Sequence, residues 1–459
     1  MIKKVLIANR GEIVQRIIRT CKKLGIQTVV VYTDADENMP YVTEADEAYH
    51  IGPSAPVKSY LNIDVLLEVI QKSDVDAVHP GYGFLSESAT FAIEVEKAGV
   101  KWIGPNPNIL GNIESKCFCR MIADEIKVSC TPGTIKPIKS IEEIYETAQK
   151  VGLPVLMKLD KGGGGKGIQK IESLQSKAET KATYESMQRI GMMAFASDEV
   201  YIEKAVENPR HIEIQFIADQ EGNVLCLGER ECSIQRRYQK LIEEAPSVVV
   251  SQKDREKLYE STRRLIQKMN YTGAGTVEYL RDKDGNYYFM EINARLQVEH
   301  PVSEMITHID IVEWQMRIAS GETLDIKQED IQLNGHAIEC RIYAEDPETF
   351  MPMMGTLKEI TFPELRDGVV RVEHALSDGF KISPFYDPMI CKLITWGKNR
   401  NESINHMKKA LKSFELEGIT TTIPVDLEIM ENRYFLKGDF DTSFLTKEKM
   451  MREKKMNMA

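Results

Sequence analysis

Residues 273–299 read GAGTVEYLRDKDGNYYFMEINARLQVE and contain two runs rich in β-branched and aromatic residues. The runs are joined by a KDGN segment, and Asp-Gly between such runs is a strong hairpin signal. The pattern therefore predicts two antiparallel strands. Because the turn is centred between Asp284 and Gly285, Glu278 and Glu291 are equally distant from it, and we expect them to stand nearly opposite each other.

The second run continues into a regular alternation of polar and apolar residues. Polar side chains occupy every second position, at Glu291, Asn293, Arg295, Gln297 and Glu299. Since side chains alternate between the two faces of a strand, this spacing predicts one strand with a chemical face and a core face.

Two carboxylates that face each other across a hairpin repel unless a cation lies between them. Mg²⁺ takes oxygen ligands and commonly joins one or two carboxylates to substrate phosphates. The sequence therefore predicts a metal site at Glu278 and Glu291, to which Asn293 can add a neutral oxygen. The alternative is an exposed face on which Lys or Arg neutralises the carboxylates.

The N-terminal part of the chain has strands that alternate with amphipathic helices. Residues 3–36, KKVLIANRGEIVQRIIRTCKKLGIQTVVVYTDAD, predict a strand, a helix that ends at Gly25 and a second strand. Such βαβ units build parallel sheets, so the segment to about residue 113 is expected to be a Rossmann-like layer. Its first turn, NRGE at 9–12, lacks the G-x-G-x-x-G fingerprint, which favours a structural layer over a dinucleotide site.

Residues 135–203 predict a smaller unit, in which strands lie on either side of a glycine-rich turn. Its long charged helical stretches suggest a lid that can move. An antiparallel series of strands follows, and the chain ends in a region of mixed strand and helix. We therefore predict an α/β and α+β multidomain fold, with a Rossmann-like domain at 1–112, a central domain at 113–334 that includes the lid, a C-terminal domain at 335–446 and a charged tail at 447–459.

Composition excludes some functions. A chain of 459 residues can bury more than one core, and its net charge of -11 argues against a general affinity for nucleic acid or anionic membranes. No apolar run approaches the roughly 20 residues of a membrane helix, and no signal peptide is evident. The 8 cysteines contain no C-x-x-C pair, which favours reduced, buried thiols and a cytoplasmic protein.

The KGGGGKG run at 161–167 is a candidate phosphate loop. Consecutive glycines let backbone N–H groups approach an anion, and Lys158 and Lys166 flank the run. No Ser or Thr follows the lysine, so this is not the P-loop signature. The alternative interpretation is a flexible loop.

Two further segments contain candidate binding residues. Glu203 and Lys204 end one predicted strand and His211 begins another, where backbone groups and a carboxylate could hold an adenine and a ribose. For His211 alone, an ordinary surface histidine is the simpler interpretation. The ECSIQRRYQKLIEEAP segment adds a basic cluster around Lys240, which composition leaves open as either a solvated face or an anion pocket.

Several motifs in chain order resemble the biotin carboxylase component of biotin-dependent carboxylases of the acyl-CoA carboxylase type. The resemblance runs from about residue 2 to 446, and so many motifs in register are highly specific. The motifs are ANRGEI, HPGYGFLSE, GGGGKG, ENPRHIEIQ, QRRYQKLIEEAP, GAGTVEYL, EINARLQVEHPVSEMIT, ECRIYAEDP and PFYDPMICKLI.

The resemblance implies an ATP-grasp fold between a Rossmann-like N-terminal domain and a C-terminal domain. It implies ATP with Mg²⁺ or Mn²⁺, bicarbonate and biotin as the reacting partners. Matched position by position, the family's ATP contacts fall on Lys116, Lys158, Gly164, Gly165, Glu203, Lys204, Ala205, Val206, His211 and Tyr238. Its metal ligands fall on Glu278, Glu291 and Asn293. Its bicarbonate site falls on Lys240, Arg295, Gln297, Val298 and Glu299, with Glu299 as general base, and the arginine that it places near biotin falls on Arg341.

The resemblance also implies partners. No Met-Lys-Met attachment site occurs, so biotin is expected on a separate biotin carboxyl carrier protein, with a carboxyltransferase subunit beyond it. A homodimer is expected by analogy with bacterial relatives.

Two rival interpretations remain at this level. One is another ATP-grasp enzyme, such as a carbamoyl-phosphate or purine carboxylase relative, against which the RLQVEH run argues. The other is a non-catalytic ATP-binding partner, against which the intact Glu299, Arg295 and Arg341 argue, while the unusual Lys161 and Tyr238 keep it open. The departures from the family pattern are Tyr238 in place of the usual His, Asp160-Lys161 in place of small residues, and Met353-Met354 in place of Ser-Pro.

Overall fold

The computed structural model describes residues 2–162, 167–174 and 176–447. The predicted phosphate contacts Gly164 and Gly165 and the charged tail from 448 onward lie outside the described residues. Among the described residues, no helix is long and apolar enough to cross a membrane.

The N-terminal layer is a parallel sheet with strand order β3-β2-β1-β4-β5, as the βαβ pattern predicts. Its first helix ends at Gly25, which has a φ of 68° that favours glycine. The elements are β1 (Lys4–Ile7), α1 (Glu12–Leu24), β2 (Gln27–Tyr32), α2 (Pro40–Glu44), β3 (Glu47–His50), α3 (Ile63–Ser73), β4 (Ala77–His79), α4 (Ala89–Lys97) and β5 (Lys101–Trp102).

The central region begins with two helices and a smaller sheet of strand order β7-β6-β8. Its elements are α5 (Pro107–Ile113), α6 (Lys116–Glu125), α7 (Ile141–Val151), β6 (Val155–Leu159), β7 (Ile168–Ile171), α8 (Lys177–Phe195) and β8 (Val200–Lys204). The glycine run therefore connects β6 to β7, a strand that we did not expect. The predicted lid limits, 135 and 203, stay a prediction.

The largest sheet is antiparallel, with strand order β13-β12-β9-β10-β11-β14-β17-β16. Its strands are β9 (Arg210–Ala218), β10 (Val224–Arg236), β11 (Gln239–Ala245), β12 (Gly273–Arg281), β13 (Tyr287–Asn293), β14 (His336–Tyr343), β16 (Val370–His374) and β17 (Met389–Gly397). β15 (Glu359–Thr361) and β18 (Glu415–Glu417) form a separate two-stranded sheet. The helices of this part of the chain are α9 (Gln252–Lys268), α10 (His300–Thr307), α11 (Ile311–Ala319), α12 (Arg400–Ser413), α13 (Ile423–Glu431) and α14 (Arg433–Lys437). β11 pairs with β14, so the sheet runs across the predicted boundary at 334.

A hydrophobic core shared between the N-terminal layer and the large sheet holds these two parts of the chain together. Ile13 and Ile17 of α1 belong to the same buried cluster as Ile217 of β9 and Trp314 of α11. Burial of these apolar side chains fixes the N-terminal layer against the large sheet, because removing apolar surface from water is the main force that holds elements together. The cavity described below lies between the parts.

Candidate active site

The hairpin has the predicted register. Glu278 on β12 pairs with Glu291 on β13, and a register shift between Glu278 and Tyr279 leaves Met290 as an extra residue. Such a bulge adds one residue to one strand and re-aims the side chains beside it. The expectation that the two carboxylates stand on facing positions is confirmed.

The expectation that one strand continues from Glu291 to Glu299 is wrong. Strand β13 ends at Asn293. The next residue, Ala294, does not continue the hydrogen bonds between the strands, because its N–H donates to Glu87 Oε1 (2.9 Å). The following residues form an irregular segment that leads into α10 at His300, where Pro301 occupies the first turn. The polar side chains thus come from a strand end and a loop.

Glu278 is buried at the centre of several donors. Its carboxylate lies 2.8 Å from His211 Nε2 and 3.0 Å from Lys240 Nζ, and it accepts from Asn293 Nδ2 at 2.8 Å. Burial opposes ionisation of Glu278, but Lys240 and His211 outweigh it and hold the pKa well below its ordinary value. His211 is accordingly an ion-pair partner in a buried site rather than a surface histidine.

Lys240 lies among three carboxylates. Its Nζ is 2.6 Å from Glu213 Oε2, 3.0 Å from Glu278 Oε1 and 2.6 Å from Glu299 Oε1. A buried ammonium needs such compensation. The sequence left two interpretations of the basic cluster open, a solvated face or an anion pocket. Lys240 belongs to a buried charged site, so the solvated face is excluded for this residue.

Glu299 is fully buried and has two cationic partners. Beside the contact with Lys240, its Oε2 accepts from Arg341 Nη2 at 2.8 Å, and Arg341 Nε donates to Glu243 at 2.6 Å. Burial opposes the charge, yet Lys240 and Arg341 hold the pKa of Glu299 well below its ordinary value. The carboxylate is therefore ionised at neutral pH.

Arg295 is oriented by neighbours from two regions. Its Nε donates to Glu87 Oε2 of the N-terminal layer at 3.0 Å, and its Nη1 donates to Gln297 Oε1 at 2.8 Å. Nη2 lies 3.3 Å from Asn293 Oδ1. A guanidinium fixed in this way has little conformational freedom left to lose when it binds an anion.

The residues predicted to bind metal fit a hard divalent cation. Two carboxylates and an amide oxygen come from neighbouring positions of the hairpin, and this donor set is typical of Mg²⁺ and Mn²⁺ sites. Glu291 is half-buried, and Lys116 Nζ lies 3.5 Å from its Oε2. Lys116 also donates to the carbonyl of Gly162, just before the glycine run.

Three of the residues predicted to hold the nucleotide, Lys158, Glu203 and Lys204, lie on the smaller sheet. Glu203 accepts from Lys158 Nζ (2.7 Å), Arg120 Nη1 (2.9 Å) and Thr131 Oγ1 (2.7 Å), and these partners lower its pKa despite burial. The Lys204 ammonium instead donates to the carbonyl of Leu153 at 2.6 Å. Ala205 and Val206 follow directly and line the cavity.

The departures from the family pattern differ in their surroundings. Tyr238 has a φ of 66° in the turn between β10 and β11 and is 65% exposed. Asp160 is buried and accepts from the N–H of Cys117 at the start of α6 (2.6 Å). Met353 and Met354 are exposed near the start of the third region.

These groups surround one cavity of about 1090 Å³. Residues of the N-terminal layer and of the third region complete its wall, among them Arg10, Tyr82 and Tyr386. The predicted residues that line it are Lys116, Lys158, Glu203, Lys204, Ala205, Val206, His211, Tyr238, Lys240, Glu278, Glu291, Asn293, Arg295, Gln297, Val298 and Arg341. Glu299 lies behind this wall, in contact with Lys240 and Arg341.

Sequence reasoning missed several residues of the site. Glu87, Glu213, Arg230 and Glu243 orient or neutralise the predicted side chains. Glu213 could have been found, because it lies two residues after His211 and thus on the same face of β9. The others come from distant segments.

Comparison with known proteins agrees with this geometry. The biotin carboxylase N-terminal domain family matches residues 1–110, the ATP-binding domain of the carbamoyl-phosphate synthase L chain matches 116–327, and the biotin carboxylase C-terminal domain matches 339–447. A biotin carboxylase of Halalkalibacterium halodurans is 47% identical over 97% of this chain and 98% of its own length. The chain belongs to the biotin carboxylase family. The ATP-grasp fold that the resemblance implies is confirmed. Biotin carboxylases are ATP-dependent ligases, so the comparisons favour this class of enzyme over the two rival interpretations.

Solved biotin carboxylase structures show the same fold. The biotin carboxylase domain dimer of Hydrogenobacter thermophilus 2-oxoglutarate carboxylase, in complex with MgADP, ADP and bicarbonate, has a TM-score of 0.93 at 43% identity, covering 97% of this chain and 98% of that one. A Campylobacter jejuni biotin carboxylase in complex with β,γ-ATP has a TM-score of 0.94 at 40% identity, covering 97% and 99%.

Proposed function

We propose that this biotin carboxylase uses the cavity at the end of the hairpin to activate bicarbonate with ATP and to carboxylate biotin on a separate carrier protein. The products are ADP, phosphate and N-carboxybiotin. The observation that carries the proposal is the convergence of the metal-binding set with Arg295 and Glu299 at one cavity wall.

ATP lies between the smaller sheet and the hairpin. Lys116, Lys158, Gly164 and Gly165 bind the phosphates, while the segment from Glu203 to Val206 faces the adenine, with His211 and Tyr238 as further contacts. The Glu203 carboxylate is already satisfied by Lys158, Arg120 and Thr131. Its role is therefore to fix Lys158, and backbone groups of this segment are left to recognise the base.

Glu278, Glu291 and Asn293 hold Mg²⁺ or Mn²⁺. When bound, the metal neutralises the phosphate charge that develops during phosphoryl transfer. Lys240 and His211 keep Glu278 ionised, so the ligand set is charged before substrate arrives.

Bicarbonate binds between Arg295, Lys240, Gln297 and the backbone of Val298. Its attack on the γ-phosphate gives carboxyphosphate, and Glu299 takes the bicarbonate proton. The ion pairs with Lys240 and Arg341 weaken Glu299 as a base. Bound bicarbonate must therefore take over the contact with Lys240 or Arg341 before Glu299 can accept the proton. Carboxyphosphate then breaks down to CO₂ and phosphate, and the phosphate takes the ureido N–H proton of biotin. The ureido nitrogen attacks CO₂ to give N-carboxybiotin, and Arg341 and Arg295 stabilise the negative charge that forms on the ureido ring.

A biotin carboxyl carrier protein presents biotin for this reaction, a carboxyltransferase subunit acts in the step that follows it, and the functional unit is a homodimer. The dimer proposal is supported by the dimer seen for the Hydrogenobacter thermophilus domain.

The purified chain provides the decisive test. ADP release is measured with Mg²⁺, with and without bicarbonate and free biotin. The proposal expects that release requires bicarbonate and increases with biotin. ATP turnover that is indifferent to bicarbonate would contradict it.

A further inference from the structure

Lys392 on β17 has a fully buried side chain, with 0% exposure. It belongs to the PFYDPMICKLI segment, in which Tyr386 lines the cavity but Lys392 itself does not. An ammonium group is costly to bury unless partners compensate it. Its contacts therefore indicate what it does.

The partners of Lys392 come from two other regions of the chain. Its Nζ lies 2.9 Å from Glu12 Oε1 of the N-terminal layer and donates to the carbonyl of Val298 at 2.6 Å. The same Glu12 oxygen accepts from the hydroxyl of Tyr82, whose ring centroid is 5.9 Å from the Lys392 ammonium. One buried cation thus joins the N-terminal layer, the segment after the hairpin and the third region.

All three of these neighbours of Lys392, Glu12, Tyr82 and Val298, line the cavity. Lys392 lies behind them and is too deeply buried to meet a substrate. On the neighbouring strands Lys392 pairs with Arg341 of β14 and with the buried Glu373 of β16. Glu339, two residues before Arg341 on β14, is also buried, and its carboxylate makes no hydrogen bond among the described residues. The ammonium is therefore held by groups that form the wall of the cavity.

We propose that Lys392 is a positioning residue, which fixes the Val298–Glu299 peptide and the Tyr82 phenol relative to each other through its contacts with the Val298 carbonyl and Glu12. The inference rests on the proposed role of Val298 and Glu299 in binding and deprotonating bicarbonate. Residues that orient the groups of a site typically contribute about 10–100-fold to its activity. A one-ångström displacement of the base has a comparable effect.

The test compares Lys392→Met with the wild-type chain. Bicarbonate-dependent ADP release should fall about 10–100-fold in kcat, while the KM for ATP should change less than about twofold, because Lys392 contacts none of the groups proposed to hold the nucleotide. Lys398→Met is the matched control on an exposed lysine. An unchanged kcat, or a KM for ATP that rises as much as kcat falls, would overturn the proposal.

A second readout does not depend on turnover. Backbone hydrogen exchange at 294–300 should increase in Lys392→Met and not in Lys398→Met, since the loss of the contact with the Val298 carbonyl frees that segment. Unchanged exchange there would overturn the positioning role. If the wild-type chain shows no bicarbonate-dependent turnover, the proposed function fails, but the exchange comparison still decides the role of Lys392.

If Lys392→Met does not fold, Glu12→Gln and Tyr82→Phe are measured in its place. Both keep the shape of the side chain and remove one partner of the network. The proposal expects each to lower kcat less than Lys392→Met does, and it expects Glu12→Gln to increase exchange at 294–300. If kcat and the hydrogen exchange at 294–300 both stay at their wild-type values in Glu12→Gln and in Tyr82→Phe, the proposal is contradicted.

Discussion

Lys240 Nζ lies 2.6 Å from Glu299 Oε1, so the proposed base is held as an ion pair inside the protein. The same ammonium contacts Glu213 and Glu278, and this places the proposed base and a proposed metal ligand around one cation. A base with such partners is ionised but weak. In the proposed mechanism, binding of bicarbonate therefore has to rearrange these ion pairs before Glu299 can accept the proton.

The first prediction concerns Glu299. Glu299→Gln keeps the size of the side chain but removes the negative charge and the proton acceptor, so bicarbonate-dependent ADP release should fall by roughly 100-fold or more. ATP binding, measured by calorimetry, should stay within about twofold because the nucleotide groups are elsewhere. Glu256→Gln on the exposed face of α9 is the matched control. Turnover close to that control would refute the assignment of the base.

The second prediction concerns Arg295. Arg295→Lys keeps the charge but loses the planar fork that contacts Glu87, Gln297 and Asn293. Carboxylation of free biotin should fall by roughly 100-fold, as is typical when one donor to a developing anion is removed. Arg317→Lys, whose partners lie on the surface, serves as the control. Near-normal carboxylation by the Arg295 variant would exclude the anion clamp.

The third prediction concerns the metal. Glu291→Gln removes one charge from the proposed ligand set, and the Mg²⁺ concentration that gives half-maximal ADP release should rise at least about tenfold. Saturating Mg²⁺ should restore part of the activity. Glu322→Gln, at a partly exposed carboxylate that pairs with Arg317, is the control. A Mg²⁺ dependence identical to the wild type would show that Glu291 is not a ligand.

The register of the hairpin could be predicted because it depends on local information, the position of the turn and the alternation of residues. The end of the strand could not. Ala294 leaves the ladder because Glu87, which is 207 residues earlier in the chain, accepts its N–H. Arg341 likewise reaches Glu299 only because β11 and β14 join the central and third regions in one sheet. Tertiary contacts of this kind leave no periodic signal in a single sequence.

The fourth prediction concerns stability in acid. Burial opposes the charge of Glu244, but Arg400 and His336 lower its pKa to about 2 from the ordinary value of 4.5. The group therefore contributes stability above pH 4.5, about 3 kcal/mol at most, which is lost as the pH falls toward 2. Glu244→Gln should lower the free energy of unfolding at pH 6 much more than at pH 3, as measured with urea. Equal losses at both pH values would contradict the ion-pair origin.

The last prediction concerns the predicted lid at 135–203. The β7-β6-β8 sheet has its own core, which includes Val155 and Met157. Lys116 of α6 links this unit to the hairpin, because its ammonium donates to the carbonyl of Gly162 and lies 3.5 Å from Glu291 Oε2. ATP that binds Lys116 and Lys158 should hold this unit against the large sheet and slow its backbone hydrogen exchange. MgATP should therefore increase protection in 135–203 and leave β16 and α12 unchanged. Lys158→Met, which removes a proposed phosphate contact, should show less of the increase than Lys150→Met, an exposed lysine of the same unit. Equal protection with and without nucleotide would mean that the unit is rigid and does not act as a lid.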